Sequence, residues 1–156
     1  MFLGKIGAVP KQEKKEKSKK RSSPASKNRG NVLWKCFSLF IRLRDCGDNS
    51  HGYAKCISCG DVYHFREMDA GHFMPIGKKP TKYDERNVNA QCIPCNRGGG
   101  GNLEEYSKAL GKELCEELEN KSREPFKKMI SSEVEKKILK YRKKIKIEAR
   151  RVDVSL

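Results

Sequence analysis

Four of the seven cysteines fall in two pairs, Cys56-x-x-Cys59 and Cys92-x-x-Cys95. Two thiolates spaced this way can grip one ion from a tight turn, and two such turns close a tetrahedral Zn²⁺ site. Redox pairs are the competing reading, and structural zinc is favoured where no export signal is read. Thirty-two residues separate the pairs, more than a simple zinc ribbon needs, so an insertion with its own structure stands between the knuckles. It holds DAGHFMP (69–75) and ERNVNAQC (85–92), and Asn96 directly follows Cys95. A lone His is more often a surface or core residue than a catalyst, and a lone Asn is usually a turn residue. The order His72, Asn87, Cys-x-x-Cys, Asn96 inside a four-cysteine frame is much rarer by chance. An imidazole is also the side chain suited to moving a proton near pH 7.

The bulk charge agrees with a phosphate-bearing partner. The 156 residues carry 35 Lys+Arg against 20 Asp+Glu, a formal +15. A pI near 9.6 points to a polyanion, most often nucleic acid; a basic tail that only aids solubility is the bland alternative. Hydrophobic residues are 36% and aromatics 8%, thin for a self-sufficient core, and small domains of this kind recruit a metal as a staple. No run approaches the roughly 20 apolar residues of a membrane span. The start, MFLGKIGAVPKQEKK, lacks an apolar stretch long enough for a secretion signal, so a reducing, cytoplasmic location is expected. Cys36, Cys46 and Cys115 read as small buried hydrophobes or free thiols.

Three divisions follow along the chain. Residues 1–31 are expected to form a disordered basic arm, with nine Lys or Arg among 11–31 that could touch phosphate without a fold. Residues 32–124 hold the zinc-containing domain. Leu33, Phe37, Phe40 and Ile41 follow helical spacing over 32–45, with Trp34 read as core rather than as a base-stacking platform. Extended pieces are expected at 53–56, 68–75 and 87–91, with a loop between the last two. A helix starts at 102, with Asn102 as its cap and Glu105 completing a capping box; its seven acids over 103–124 turn it away from DNA. Residues 125–156 hold a basic amphipathic helix in which Phe126, Ile130, Val134, Ile138, Tyr141 and Ile145 form a coiled-coil-like seam. That seam could pack on the domain, pair two chains as a homodimer through 126–145, or lie along phosphates. His51 and His64 receive no role; His64, in the hairpin expected after the knuckle, is read as exposed.

The motifs, in this order, resemble the HNH nucleases and, more closely, the NinG/Rap recombination proteins of lambdoid phages. The matching residues are CISCG (56–60), DAGHF (69–73), ERNVNAQC (85–92), CN (95–96), GNLEEY (101–106) and the helix FSLFIRLRD (37–45), spread over residues 33–120. The resemblance implies a small α+β fold. Its HNH (ββα-metal) core is braced by the four-cysteine zinc site and flanked by an N-terminal helix and C-terminal helices. It also implies a metal-dependent endonuclease, working in the bacterial host cell on branched recombination DNA such as Holliday junctions and D-loops. The zinc-braced core is similar to that of phage endonuclease VII-type junction resolvases as well.

In this reading His72 is the general base that takes a proton from water. A hard cation, Mg²⁺ or Mn²⁺, binds the scissile phosphate and the leaving 3′ oxygen, with Asn96 as one ligand. Asn87 matches the middle HNH Asn, which fixes the loop and orients the base; Asn89 receives no role. The sequence departs from the pattern at Gly71, where HNH proteins usually carry the other ligand. Asp69 is the nearest replacement. Residues three apart in a strand face opposite ways, so Asp69 needs a bulge at Ala70-Gly71 to join His72. GGGG (98–101) stands where many HNH chains carry a Lys, and phosphate contact then falls to Arg97, Lys78, Lys79 or Lys82. Two other readings stay open: a catalytically degenerate, zinc-stabilised DNA-binding protein, and an interaction protein whose basic helices bind RNA or an acidic partner.

Overall fold

The computed structural model describes residues 24–156; residues 1–23, and with them most of the expected basic arm, lie outside it. Helix α1 (Pro24–Arg44) is followed by two hairpins, β1 (Tyr53–Lys55) with β2 (Val62–His64) and β3 (Met68–His72) with β4 (Val88–Cys92). Helices α2 (Ile93–Arg97), α3 (Leu103–Leu110), α4 (Lys112–Ser122) and α5 (Ser131–Arg151) complete the chain. Each hairpin is its own two-stranded antiparallel sheet, so the fold is a small α+β arrangement. None of the described helices is long and apolar enough to cross a membrane.

The apolar stripe read from 32–45 is the centre of the core. Leu33, Phe37, Phe40 and Ile41 are buried, and they meet Ile138, Tyr141, Ile145 and Val152. The Tyr141 ring sits 5.1 Å from Phe37 and 5.4 Å from Phe40. Each such side chain stabilises the fold by about 1.5–3 kcal/mol on burial. Arg151 donates to the carbonyls of Leu43, Arg44 and Cys46, which satisfies oxygens that the end of α1 would otherwise leave orphaned. Three members of the expected pairing seam (Ile138, Tyr141 and Ile145) are therefore spent on α1, while Phe126 and Ile130 stay exposed.

Several boundaries differ from expectation for local reasons. Helix α1 is already formed at Pro24, the first described residue, so the last residues assigned to the arm are helical. The single acidic helix is two helices, because Gly111 at φ +81° breaks it. Asn102 stands at the start of α3, but its side chain caps nothing: its left-handed backbone leaves Nδ2 to donate to Cys95 Sγ at 3.5 Å. The glutamates of α3 and α4 are exposed.

The end of α1 also seals the outer edge of β4. The Arg44 guanidinium donates to the carbonyls of Glu85 and Val88, and the Asp45 carboxylate accepts from the Ala90 N–H. An unpaired strand edge is thereby covered, and the hairpin that carries the candidate site is fixed to the main core helix.

Candidate active site and metal centre

The four sulfurs of Cys56, Cys59, Cys92 and Cys95 lie within 4.8 Å of one another. A tetrahedron of Zn–S bonds of about 2.3 Å requires S···S separations of about 3.8 Å, and Cys59 Sγ and Cys92 Sγ stand 3.8 Å apart. The donor set fits one structural zinc. Burial pushes the Cys56 thiol up, but N–H donors from Cys59, Cys92 and Ser58 outweigh it and bring it down to about 7. Cys92 ends β4 and Cys95 lies in α2, so an ion here ties the knuckle to the strand and to the helix that carries Asn96. Cys36, Cys46 and Cys115 take no part.

His72 ends β3. Its Nε2 lies 3.0 Å from the Lys82 carbonyl oxygen. A carbonyl only accepts, so Nε2 carries the proton and Nδ1 keeps its lone pair. The indole of Trp34 stacks on the ring, with centroids 5.3 Å apart and planes inclined by 20°. Burial holds the imidazole below its ordinary value; the Lys82 ammonium adds to this, and the Lys82 carbonyl opposes it. The ring is thus neutral at pH 7 and presents an acceptor nitrogen. A cleft of about 400 Å³ joins His72 and Trp34 to Asn96, Arg97 and Gly101.

Asn87 is fully buried and clips the loop beyond β3. Its Oδ1 accepts from the Met74 N–H, and its Nδ2 donates to the carbonyls of Met74 and Thr81. That loop runs on to Lys82, whose carbonyl holds His72. Lys78 and Lys79 are exposed at the turn. The Lys82 ammonium lies over the Tyr83 ring, 5.1 Å from its centroid.

The bulge expected at Ala70-Gly71 is absent. Residues 68–72 pair without interruption with 92–88, Asp69 opposite Gln91 and His72 opposite Val88. Asp69 and His72 therefore face opposite sides of the strand. The Asp69 carboxylate takes N–H bonds from Asn96 Nδ2 (2.9 Å), Arg97 Nε (2.8 Å) and Arg97 Nη2 (3.0 Å). These bonds, led by the one from Arg97, hold it below the usual carboxylate range. Arg97, expected to be free for phosphate, is thus paired. The Asp69 carboxylate and the Asn96 amide are the two oxygen-bearing side chains here that could hold a hard cation, and the carboxylate is occupied by Asn96 and Arg97. Asn96 is the shared member, touching Asp69 and lining the cleft with His72.

Gly71 has a packing reason to be glycine. A Cβ there would overlap the Gln91 side-chain amide. Buried Gln91 uses that amide to reach Ser58 Oγ at 2.8 Å and the Gly101 carbonyl at 2.7 Å. A second buried network backs the same strand: Arg44 donates to Asn89 Oδ1, Asn89 Nδ2 to the Tyr106 hydroxyl, and that hydroxyl to the Gly71 carbonyl. Sequence reasoning missed Gln91, Asn89, Tyr106 and the contact of Trp34 with His72. The signal available was that Asn89 and Gln91 alternate with apolar Val88 and Ala90, so one face of the strand is polar.

Protein ninG of Escherichia phage 933W is 36% identical over 88 residues, 53% of this chain and 40% of that protein. Protein ninG of Escherichia phage lambda is 35% identical over the same shares. That of Salmonella phage P22 is 39% identical over 70 residues, 44% of this chain and 31% of its own length. The matched part thus spans less than half the length of these curated relatives. No solved structure matches significantly. The family model described as Bacteriophage Lambda NinG protein matches residues 7–151, nearly the whole chain, and the chain belongs to the NinG family.

Proposed function

We propose that the chain is a metal-dependent, structure-specific DNA endonuclease acting on branched recombination intermediates, with β3, β4 and α2 as an HNH-type core. The observation that supports this best is the placement of His72: Nε2 is held by the Lys82 carbonyl, which leaves Nδ1 as the acceptor, and the residue shares a cleft with Asn96. His72 is the general base. Its Nδ1 takes a proton from water, the water oxygen bonds to phosphorus, and the P–O3′ bond breaks with the leaving oxygen protonated from solvent. Asp69 and Asn96 hold the divalent ion, which supplies charge neutralisation on the phosphate when bound. Lys78, Lys79 and Lys82, with Arg97 once it leaves Asp69, draw the phosphate toward the cleft. Asn87 keeps the Lys82 carbonyl behind the base.

Two observations favour the degenerate, DNA-binding reading: Asp69 is engaged by Arg97, and no side chain can stand at 71 while Gln91 holds its place. One experiment separates the two. A four-way junction and a matched linear duplex are incubated with the protein and Mg²⁺ or Mn²⁺, beside His72→Ala. Junction cutting by the wild type, lost in the variant, is the expected result. Binding without cutting in either metal leaves the degenerate reading; equal cutting by the variant removes His72 as the base.

A further inference from the structure

We infer that the outward face of α5 is a second surface for duplex DNA, separate from the cleft, which takes one arm of a branched substrate. This rests on the reading of the chain as DNA-binding.

Helix α5 buries Ile138, Tyr141, Ile145 and Ala149. At about 100° per residue, the face opposite them holds Lys136, Lys140, Lys143, Lys146 and Arg150. Of the helix's three acids, Glu135 and Glu148 fall on its flanks; Glu133, in the first turn, lies near the outward face, where its carboxylate accepts from the Ile130 N–H. Off this face Arg44, Arg86, Arg97, Lys108, Lys121, Lys144 and Arg151 meet carboxylates, while Lys55, Lys78, Lys79, Lys82, Lys127 and Lys128 meet none among the described residues. On this face only Lys140 meets one, reaching Glu85 at 3.6 Å. Lys136, Lys143, Lys146 and Arg150 meet no carboxylate among the described residues. Two apolar side chains, Leu139 (54% exposed) and Ile147 (63% exposed), stand between them.

Four unneutralised cations thus lie along one exposed helix face. From 136 to 150 the row spans about 21 Å at 1.5 Å per residue. A duplex presents one negative charge per roughly 1.7 Å of axis, so the row lies against phosphate along its whole length. Residues 103–124 carry seven acids against four bases, so α3 and α4 suit that backbone less well than the α5 side does. The cations here reach only phosphates, so the surface is blind to sequence.

The test is a triple variant, Lys136→Ser, Lys143→Ser and Lys146→Ser, with an all-Arg triple as the charge-conserving control and circular dichroism to verify folding. Four-way-junction binding is followed by fluorescence anisotropy across a salt series without divalent ion. Loss of three phosphate contacts is expected to lower the slope of log K against log salt by about 2.7 and to weaken binding about tenfold or more. The Arg triple should keep both. Single-turnover cutting at saturating DNA should be unchanged. If the wild type binds and the Ser triple keeps its slope and affinity, the inference is overturned while the proposed function stands. If the wild type binds no DNA at any salt, both fall. A Ser triple that binds normally but cuts slowly also overturns it.

Discussion

The ring of His72 lies against the indole of Trp34, centroids 5.3 Å apart and planes 20° from parallel. One residue ends a strand and the other sits in α1, so the orientation of the proposed base depends on how the helix packs on the hairpin. Trp34→Ala removes that wall and readmits water to the imidazole. The lowered His72 value is then expected to return toward the ordinary imidazole figure of about 6.5. An NMR titration of the ring measures this; an unchanged midpoint contradicts it.

The same burial fixes a pH dependence. The folded value of His72 lies below the unfolded one. As pH falls below about 6.5, the unfolded chain takes up a proton before the folded chain does, so stability declines across that window, and the contribution is fully present above it. His72→Gln should flatten this part of a melting-temperature profile. On the enzyme reading, the acid limb of the cutting rate likewise lies below about pH 6.5.

Zinc is expected at about one ion per chain, because the four sulfurs fit one tetrahedral site. Cys56→Ala, or a strong chelator, should remove the ion and unfold the hairpins and α2 together. Elemental analysis with circular dichroism checks both losses. A folded, zinc-free variant would show that the cluster is dispensable.

Tyr106→Phe deletes one fully buried hydroxyl. Asn89 Nδ2 then loses its acceptor and the Gly71 carbonyl loses a donor. The cost is about 1–3 kcal/mol, read by urea unfolding.

Gly71→Asp places a side chain where the Gln91 amide already lies. Alone it should destabilise by about 1–3 kcal/mol through overpacking. Gln91→Ala makes room, so the double variant should recover part of that loss in spite of the two hydrogen bonds it gives up. Thermal unfolding of the two single variants and the double one measures the coupling.

The four-cysteine cluster and the buried face of α1 were legible because each rests on local spacing: two Cys-x-x-Cys turns, and apolar residues at helical intervals. The placement of Asp69 was not, because it turns on strand register. Uninterrupted pairing of 68–72 put it against Asn96 and Arg97, when a bulge had been expected to carry it toward His72. A hairpin after the knuckle is legible around His64, but the bounds of β2 are not: Val62 is exposed and Tyr63 and His64 only half-buried, so no alternation marks them. Asn102 misled because its side chain suits a cap, while the left-handed backbone set by the glycine-rich lead-in turned it toward Cys95. Gly111 was read through because a single glycine interrupts an apolar pattern without changing its period.

The net negative stretch 103–124, with seven acids against four bases, and the row of cations on α5 give the molecule an uneven charge. A polyanion would feel that asymmetry as a torque before any contact forms, at separations up to the screening length of about 10 Å in 0.1 M salt. Encounters would be turned toward the basic side during approach. Capture rate, and not only final affinity, would then rise steeply as salt is diluted.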